Sequence, residues 1–557
     1  MLCTPSFASQ PQLLTPKELT AFLHDSQAIT QLLDNASFVP SIEAKTTTDF
    51  TNSRLELSVI PDSTYVKILK DDYKTADDAN NQMTQLPKMM VDLAQKGFSL
   101  FSSQTAFKSN QHPYWEWQIS HGKIWQNASD QTLVVLPFAL QERNANCTHT
   151  GYLALSQSMQ NKKLRWQGYY QISAETCAYL QFDMAGRLNV NFVQNNKNYN
   201  KPIASVATTK ALNITDLSKD YPQLNIAKLV PKNPSSTSVS GLFIAGKHYR
   251  LSCQNRTGND PYCQQLVLPS YSTAKSLYAG LALMRLEKIV PNISRVAVSK
   301  LIPQCDAKQW QGVSLGDLLN MRTGLYLSKK PHVDESSSRM LSFFLAETNA
   351  KKIELACSMF NKRSPAGKYF VYHSSDTYLA GVIMNKLYQK ISDKDDLFQG
   401  LMLQDLWKDL KLSALFARSK RSYDNDQQTF TGWGLSYYIS DLIQLIEFIQ
   451  QQVKDTTLVD QTMLNSALQI SDDRFNRSGG EANLAYNFGF WGLEVGHSLS
   501  CQKDKWMPFM SGFGGISVIL YSPDIFYYHF ADDYKYQWLS VVKELNKQFP
   551  VCGAAKS

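Results

Sequence analysis

The spacing of apolar residues changes along the chain, and the change divides it. Between residues 10 and about 100, two stretches read as helical, Thr15 to Leu33 and Asp77 to Lys96, with the alternating, strand-like piece "SRLELSVI" between them. From about 115 to 195 aromatic and branched residues alternate with polar ones in "YWEWQI", "QTLVVLPFAL", "GYLALSQ", "LRWQGYYQI", "CAYLQFDM" and "LNVNFV". Turn clusters separate these pieces, which predicts an antiparallel β unit. "PKNPSSTSVSG", Pro231 to Gly241, is polar and rich in Pro and Ser, and reads as a linker. Beyond it "GLFIAGKHYRL" predicts a hairpin turning at Ala245-Gly246, after which helices alternate with short strands. A chain of 557 residues is too long for one core. The expectation is a β-rich amino-terminal accessory domain over 9–235 and a second domain over 236–557.

Composition narrows the class without naming a chemistry. Hydrophobic residues make up 43% and charged residues 19%, as in ordinary globular proteins. The net charge of +8 is spread along the chain with no Lys/Arg block, so no nucleic-acid partner is expected. No apolar run approaches the roughly 18 to 20 residues of a membrane span. The oligomeric state is not readable.

Cysteines and the first residues point to export. Ser6-Phe7-Ala8 carries small residues where a signal peptidase needs them, although "MLCTPSFASQ" lacks a basic start and a long apolar core. Residues 1–8 are therefore read as the remnant of a signal peptide, and the protein as periplasmic or secreted. Of nine cysteines, removal of Cys3 leaves eight, none in the paired spacing of a zinc site. Cys253 and Cys263 suit a disulfide-closed loop, and Cys147 with Cys177 or Cys501 with Cys552 suit similar pairs.

The candidate chemistry lies in "LPSYSTAKSLYAGLALMRLEK", Leu268 to Lys288. Ser272 and Lys275 stand three apart at the start of a helical repeat formed by Leu277, Leu281, Met284 and Ile289. Ser-x-x-Lys also occurs at Ser120/Lys123, Ser500/Lys503 and Ser540/Lys543, so the spacing alone says little. At a helix start, however, the Ser272 N–H sits at the positive dipole end and Lys275 lies one turn on, beside the hydroxyl. To act as base, that lysine must have its pKa brought from about 10.4 to near neutrality, which requires burial or a second cation.

Four further segments carry a resemblance. "VSLGDLLNMRTGL" (Val313–Leu325), "SPAGKYFVYHSSDTYLAGVIM" (Ser364–Met384), "GWGLSYYISDLIQLIEFI" (Gly432–Ile449) and "FMSGFGGISVILYSPD" (Phe509–Asp524) occur in this order. Together with Ser272-x-x-Lys275 they resemble the serine β-lactamase and penicillin-recognising superfamily. The likeness is nearest to class C enzymes, related esterases and 6-aminohexanoate-dimer hydrolases. It covers about 240–557 and implies an α/β fold of the α+β kind: an antiparallel sheet flanked by helices, with an all-helical subdomain. "GKIWQNASDQTLVVLPFALQERNANCTHTGYLAL" is similar to the leading domain of β-lactamase-related hydrolases, which implies an architecture and no chemistry.

The resemblance implies a role for each matched residue. Ser272 is the nucleophile, Lys275 its base, and Tyr372 the phenol that activates the nucleophile or protonates the leaving group, sharing a proton with Lys275. Ser374 stands two after Tyr372, where class C enzymes carry Asn and nylon-oligomer hydrolases carry Ser, and is expected to bind substrate. Ser511, Gly512 and Phe513 form the substrate-binding strand, with the Phe513 N–H as second oxyanion donor. Met510 replaces the family's Lys or His and cannot hold a substrate carboxylate. His373 and His497 read as surface or structural residues, and Asp376 as a helix cap. No metal, nucleotide or haem motif is found, so no cofactor is expected. The expected activity is acyl-enzyme hydrolysis of a small ester or amide. The alternatives are a peptidoglycan-directed D-Ala-D-Ala carboxypeptidase or β-lactamase, and a catalytically inactive binding protein on the same scaffold.

Overall fold

In a computed structural model of the chain, the segment Thr132–Glu142 (TLVVLPFALQE) is a strand buried at every position. The model describes residues 10–24, 29–47, 54–75, 78–102, 112–160, 163–195, 210–305, 308–393, 396–455, 457–471 and 479–552. The candidate leader and Cys3 lie outside them. The strand has no polar face because three different cores cover it. Val134, Leu136, Phe138 and Leu140 point into one cluster with Trp115 and Trp117. Leu133 and Val135 lie under Leu19 and Leu23 of the helix Pro16–His24. Ala139 packs on Val267, Leu415 and Tyr438, far along the chain.

This strand belongs to a ten-stranded antiparallel sheet drawn from residues 54–195. The strand Arg54–Pro61 pairs with both Met89–Lys96 and Phe182–Asn195, so the sheet closes on itself. The helix expected over Asp77–Lys96 is instead a short 3₁₀ turn, Ala79–Asn81, followed by the strand Met89–Lys96. Burial of Met89, Val91 and Leu93 with Met90 exposed is a period of two, which a half-buried strand satisfies and a helix does not. The helix expected over Thr15–Leu33 is confined to Pro16–His24 among the described residues. "CAYLQFDM" also divides: its first half is a loop, and the strand starts at Phe182.

A second, eight-stranded sheet spans residues 211–531. Its order is Ala211–Leu212, Lys247–Ser252, Thr237–Ile244, Ile525–Ala531, Ile516–Ser522, Trp506–Gly512, Phe490–Glu494 and Leu484–Asn487. Its strands thus begin ahead of the Pro231–Gly241 stretch, which itself runs into Thr237–Ile244. The hairpin turns at Ala245 and Gly246, both at positive φ (48° and 82°), the geometry of a two-residue primed turn. Along Ile516–Ser522 the faces alternate: Ile516, Val518 and Leu520 meet the helices, whereas Ile519 and Tyr521 meet the terminal helix Leu539–Gln548. The molecule is therefore an α+β protein: the first sheet antiparallel and curled closed, the second antiparallel except for the short parallel edge pair of Ala211–Leu212 with Lys247–Ser252, and sandwiched between helices. No helix among the described residues is long and apolar enough to cross a membrane.

Disulfides brace each part internally, and a buried ionic fork joins the two. Among the described residues four disulfides are present, Cys147–Cys177, Cys253–Cys263, Cys305–Cys357 and Cys501–Cys552, a set suited to an oxidising compartment. Arg256 reaches from the second sheet's connections into the closed sheet. Its guanidinium donates to both Glu175 carboxylate oxygens at 2.6 and 2.7 Å and to Asp183 at 2.7 Å. Beside them burial and the Glu175 charge push the Asp532 carboxyl well above the usual carboxylate range. A buried fork of this kind is costly to break from one side, because the carboxylates left behind have lost their solvent as well as their partner. Arg256→Ala should lower stability by about 3 to 5 kcal/mol. Denaturant melts of both proteins check this, and a midpoint within error of wild type would contradict it.

Candidate active site

Ser272 sits at a sharp exit from a two-residue strand. Leu268–Pro269 pairs with Ser436–Tyr437, and the Ser270 N–H continues the ladder to Leu435 O at 2.9 Å. Tyr271 then adopts φ +41°, a left-handed conformation that costs a non-glycine residue on the order of 1 to 2 kcal/mol. The helical run begins immediately after it. Its first part, Lys275–Gly280, is wound as a wider π-turn before the α-helix Leu281–Ile289. Gly280 and Gly489 allow the tight packing there: a Cβ on Gly280 would lie 2.2 Å from Phe488 O, and one on Gly489 2.2 Å from Lys275 O. Ser272 itself stays half-buried.

Lys275 is only 1% exposed. Its Nζ donates to Ser272 Oγ at 3.0 Å, Ser374 Oγ at 2.9 Å and Gly432 O at 3.0 Å. These partners are neutral oxygens, so burial dominates and brings the ammonium down to about 8; the Glu335 charge opposes the shift. When Nζ loses its proton it has one lone pair and two N–H groups. It can then accept from one hydroxyl while still donating to the other two partners.

No motif or period in the sequence marks Glu335. Its carboxylate accepts Ser374 Oγ–H at 2.5 Å and Ser374 N–H at 2.8 Å, capping the helix Ser374–Ile391. Ser374 thus stands between Lys275 and a carboxylate 39 residues upstream. What holds Glu335 there is its neighbour. Asp334 Oδ2 lies 3.1 Å from His373 Nε2, and Asp376 Oδ2 lies 3.4 Å from the other ring nitrogen. Burial alone would lower the His373 pKa, but Asp376 and Asp334 outweigh it and raise it to about 9. The imidazole stacks on Phe360 at 4.3 Å. His373 is therefore buried and structural rather than surface, and Asp376 is its ion partner.

Tyr372 packs flat on Trp491 (5.9 Å, 17°), with Tyr486 and His332 nearby. Burial first, then Tyr486 and Glu335, hold its phenol well above the usual tyrosine range, and a hydrogen bond with Ser272 works the other way. The phenol is thus a protonated donor at neutral pH. Lys275 Nζ lies 5.1 Å from the ring centroid. Its hydrogen bonds go to Ser272, Ser374 and Gly432, so Ser272 stands between the amine and the phenol.

The strand Trp506–Gly512 borders the nucleophile turn. A Cβ on Gly512 would sit 3.1 Å from Ser270 O. Tyr536 ties the edge down: its hydroxyl donates to Gly512 O at 3.3 Å and hydrogen-bonds Ser511. The half-exposed Phe513 ring lies 6.0 Å from Tyr271, 6.0 Å from Tyr179 and 5.3 Å from Tyr534, a rim of aromatic groups. Met510 is fully buried in the helix-side core. The structure therefore gathers Ser272, Lys275, Tyr372 and Ser374 into one hydrogen-bonded group, sets Gly512 against its turn and Phe513 at its mouth, and leaves Ser511 held by Tyr536. His497 lies apart, near the Cys501–Cys552 bridge. No group of three or more His, Cys, Asp or Glu residues that could hold a metal occurs among the described residues.

No protein-family model matches the sequence, and no curated protein matches it. Solved structures do. The chain is similar to a protein provisionally named a 6-aminohexanoate-dimer hydrolase from Bacillus anthracis, at 12% identity over 60% of this chain and 82% of that one, TM-score 0.42. It is similar to EstCE1, a hydrolase with promiscuous acyltransferase activity, at 15% identity over 59% and 98%, TM-score 0.44. A class C β-lactamase solved with cefoxitin gives 14% identity over 60% and 99%, TM-score 0.41. At such identities and scores the reading of function rests on the geometry of the site.

Proposed function

We propose that the protein is a serine hydrolase of the β-lactamase-like kind, acting through an acyl-enzyme on small, neutral esters or amides. One observation carries the reading: Ser272 Oγ lies 3.0 Å from a buried amine whose pKa burial lowers to about 8. Neutral Lys275 takes the Ser272 proton as Oγ attacks the substrate carbonyl, forming the C–O bond and a tetrahedral oxyanion. The Ser272 and Phe513 N–H groups are the proposed donors to that oxyanion. Tyr372, protonated and hydrogen-bonded to Ser272, gives its proton to the departing oxygen or nitrogen as the old bond breaks, and recovers one from Lys275 through the site. Water then attacks the acyl-enzyme along the reverse route. Ser374 and Glu335 set the charge on Lys275 without touching substrate. Position 510, where the family carries Lys or His, holds a methionine buried in the helix-side core, so this strand brings no cation to a substrate carboxylate, which disfavours a peptidoglycan carboxypeptidase or β-lactamase.

Intact-mass analysis after an activated fluorophosphonate should find one adduct, on Ser272, with p-nitrophenyl acetate turned over and nitrocefin not. Ser272→Ala should remove the adduct and lower kcat by roughly four to six orders of magnitude, with stability unchanged to within about 0.5 kcal/mol. An adduct that persists in this variant would refute the assignment. Wild-type protein that takes no adduct would favour a silent binding protein instead.

The pH dependence has a definite sign. Below about 8 Lys275 holds its proton and cannot accept another, so kcat/KM should fall on the acid side with a midpoint near that value. Glu335 raises the lysine's pKa, so Glu335→Gln should move the limb to lower pH. A limb that stays put or rises in that variant would show that Glu335 does not act on Lys275.

Substrate charge gives a third test. A charge-assisted hydrogen bond to a carboxylate is worth about 1.5 to 3 kcal/mol, or roughly 10- to 150-fold in kcat/KM. With methionine at 510 that gain should be missing, so a neutral ester should be hydrolysed at least as fast as its carboxylate-bearing analogue. A preference of about tenfold or more for the carboxylate would contradict the neutral-substrate reading.

A further inference from the structure

The closed sheet does more than sit beside the candidate site. Its loop Glu142–Cys147 enters the second half of the molecule and is gripped there. Lys420 Nζ donates to Glu142 O (2.7 Å) and Arg143 O (3.2 Å), the Tyr423 hydroxyl donates to Arg143 O (2.6 Å), and Asn144 Nδ2 donates to Phe344 O and Ala346 O (2.6 and 2.8 Å). At the tip is Asn146, 1% exposed. Its Oδ1 accepts three hydrogen bonds, from the Tyr271 N–H (3.0 Å), the Gly434 N–H (2.8 Å) and the Ser270 hydroxyl (3.3 Å). Its Nδ2 is buried with no hydrogen-bond partner among the described residues. A buried amide that leaves its donor unsatisfied costs stability, and such a group calls for an explanation beyond packing.

The three donors supply that explanation. Tyr271 is the left-handed residue whose conformation swings the chain from the short strand into the helix that carries Ser272. Ser270, besides donating to Asn146, accepts the Leu435 N–H on its hydroxyl at 3.1 Å. Gly434 follows, by two residues, the carbonyl of Gly432 that receives Lys275 Nζ. One oxygen from the first sheet therefore holds both the turn before Ser272 and the segment that anchors Lys275. The Cys147–Cys177 bridge fastens this loop to a second one, Cys177–Gln181. There Ala178 O accepts the Tyr534 hydroxyl at 3.4 Å, Gln181 donates to Asp532 O at 3.0 Å, and Tyr179 stands beside Phe513 at the mouth.

We propose that the amino-terminal sheet is a working part of the catalytic site, with Asn146 as a positioning residue that sets Ser272 against Lys275. The inference rests on the assignment of Ser272 as nucleophile and goes beyond it. Only the acceptor oxygen matters in this account, so aspartate should substitute and alanine should not.

The test compares Asn146→Ala and Asn146→Asp for the rate of fluorophosphonate labelling at Ser272 and for ester hydrolysis, with near-UV circular dichroism reporting the fold. Misplacing the nucleophile by about an ångström costs on the order of 100-fold, so natively folded Asn146→Ala should label about 100-fold more slowly, with the loss in kcat rather than KM. Asn146→Asp should stay within about tenfold of wild type. Alanine labelling at the wild-type rate, or alanine and aspartate slowed equally, would overturn the proposal. If the alanine variant does not fold, the aspartate variant alone decides: a rate within about tenfold supports the proposal, and a slower one overturns it. The outcome is separable from the nucleophile assignment, which fails only if Ser272→Ala still labels.

Discussion

A lysine with 1% of its surface exposed must either meet a counter-charge or lose its proton easily, and the architecture around Ser272 takes the second course. Three neutral oxygens surround Lys275 Nζ, each from a different segment: the turn it belongs to, the helix starting at Ser374, and the glycine-rich stretch at 432. Each segment has to be held to within a few tenths of an ångström for the bonds to form. The wide π-turn, the clash-free approach at Gly280 and Gly489, and the left-handed Tyr271 all serve that placement. The nearest opposite charge, Glu335, is kept one hydroxyl away, close enough to moderate the effect of burial and too far to cancel it.

The electrostatics around this amine are layered. Glu335 is placed by Asp334, Asp334 by the His373 cation, and His373 by Asp376 on the same helix as Ser374. Burying His373 costs solvation, and two carboxylates recover it. The result is a buried chain of alternating charges that ends at Glu335 beside Ser374. Tyr372 stands on the other side against Trp491 and Tyr486, in surroundings that keep its proton on. Amine and phenol are thus driven in opposite directions by the same cause, desolvation, and Ser272 lies between them.

The closed sheet and the second sheet are joined by polar links that are themselves buried. Arg256 with Glu175 and Asp183, Gln141 with Ser436, and Asn146 with the 270–271 turn are all desolvated, so none can be broken cheaply by a relative movement of the parts. The disulfide next to Asn146 shortens the reach of its loop further. The strand Thr132–Glu142 shows the same fact from the packing side, since one of its faces is covered first by an amino-terminal helix and then by Ala139's contact with Val267, Leu415 and Tyr438.

By itself the sequence determined the features that depend on neighbours in the chain. The serine and lysine three apart before an apolar helix, the Ala245-Gly246 turn and the alternating strands of residues 115–195 follow from local sterics and the two- and 3.6-residue periods. Period alone misassigned Asp77–Lys96, where mixed polar and apolar residues fit either element and pairing with Arg54–Pro61 decided. Only the tertiary structure decided what surrounds Lys275. Its burial, the 39-residue reach from Glu335 to Ser374, and the arrival of Asn146 from another sheet are long-range contacts with no periodic trace. The exposure of position 510 was equally hidden, because a methionine reads alike in a core and in a cleft, and only the helices packed over it close it off. A pKa is set by the solvent a group has lost, and the loss of solvent is a property of the folded chain.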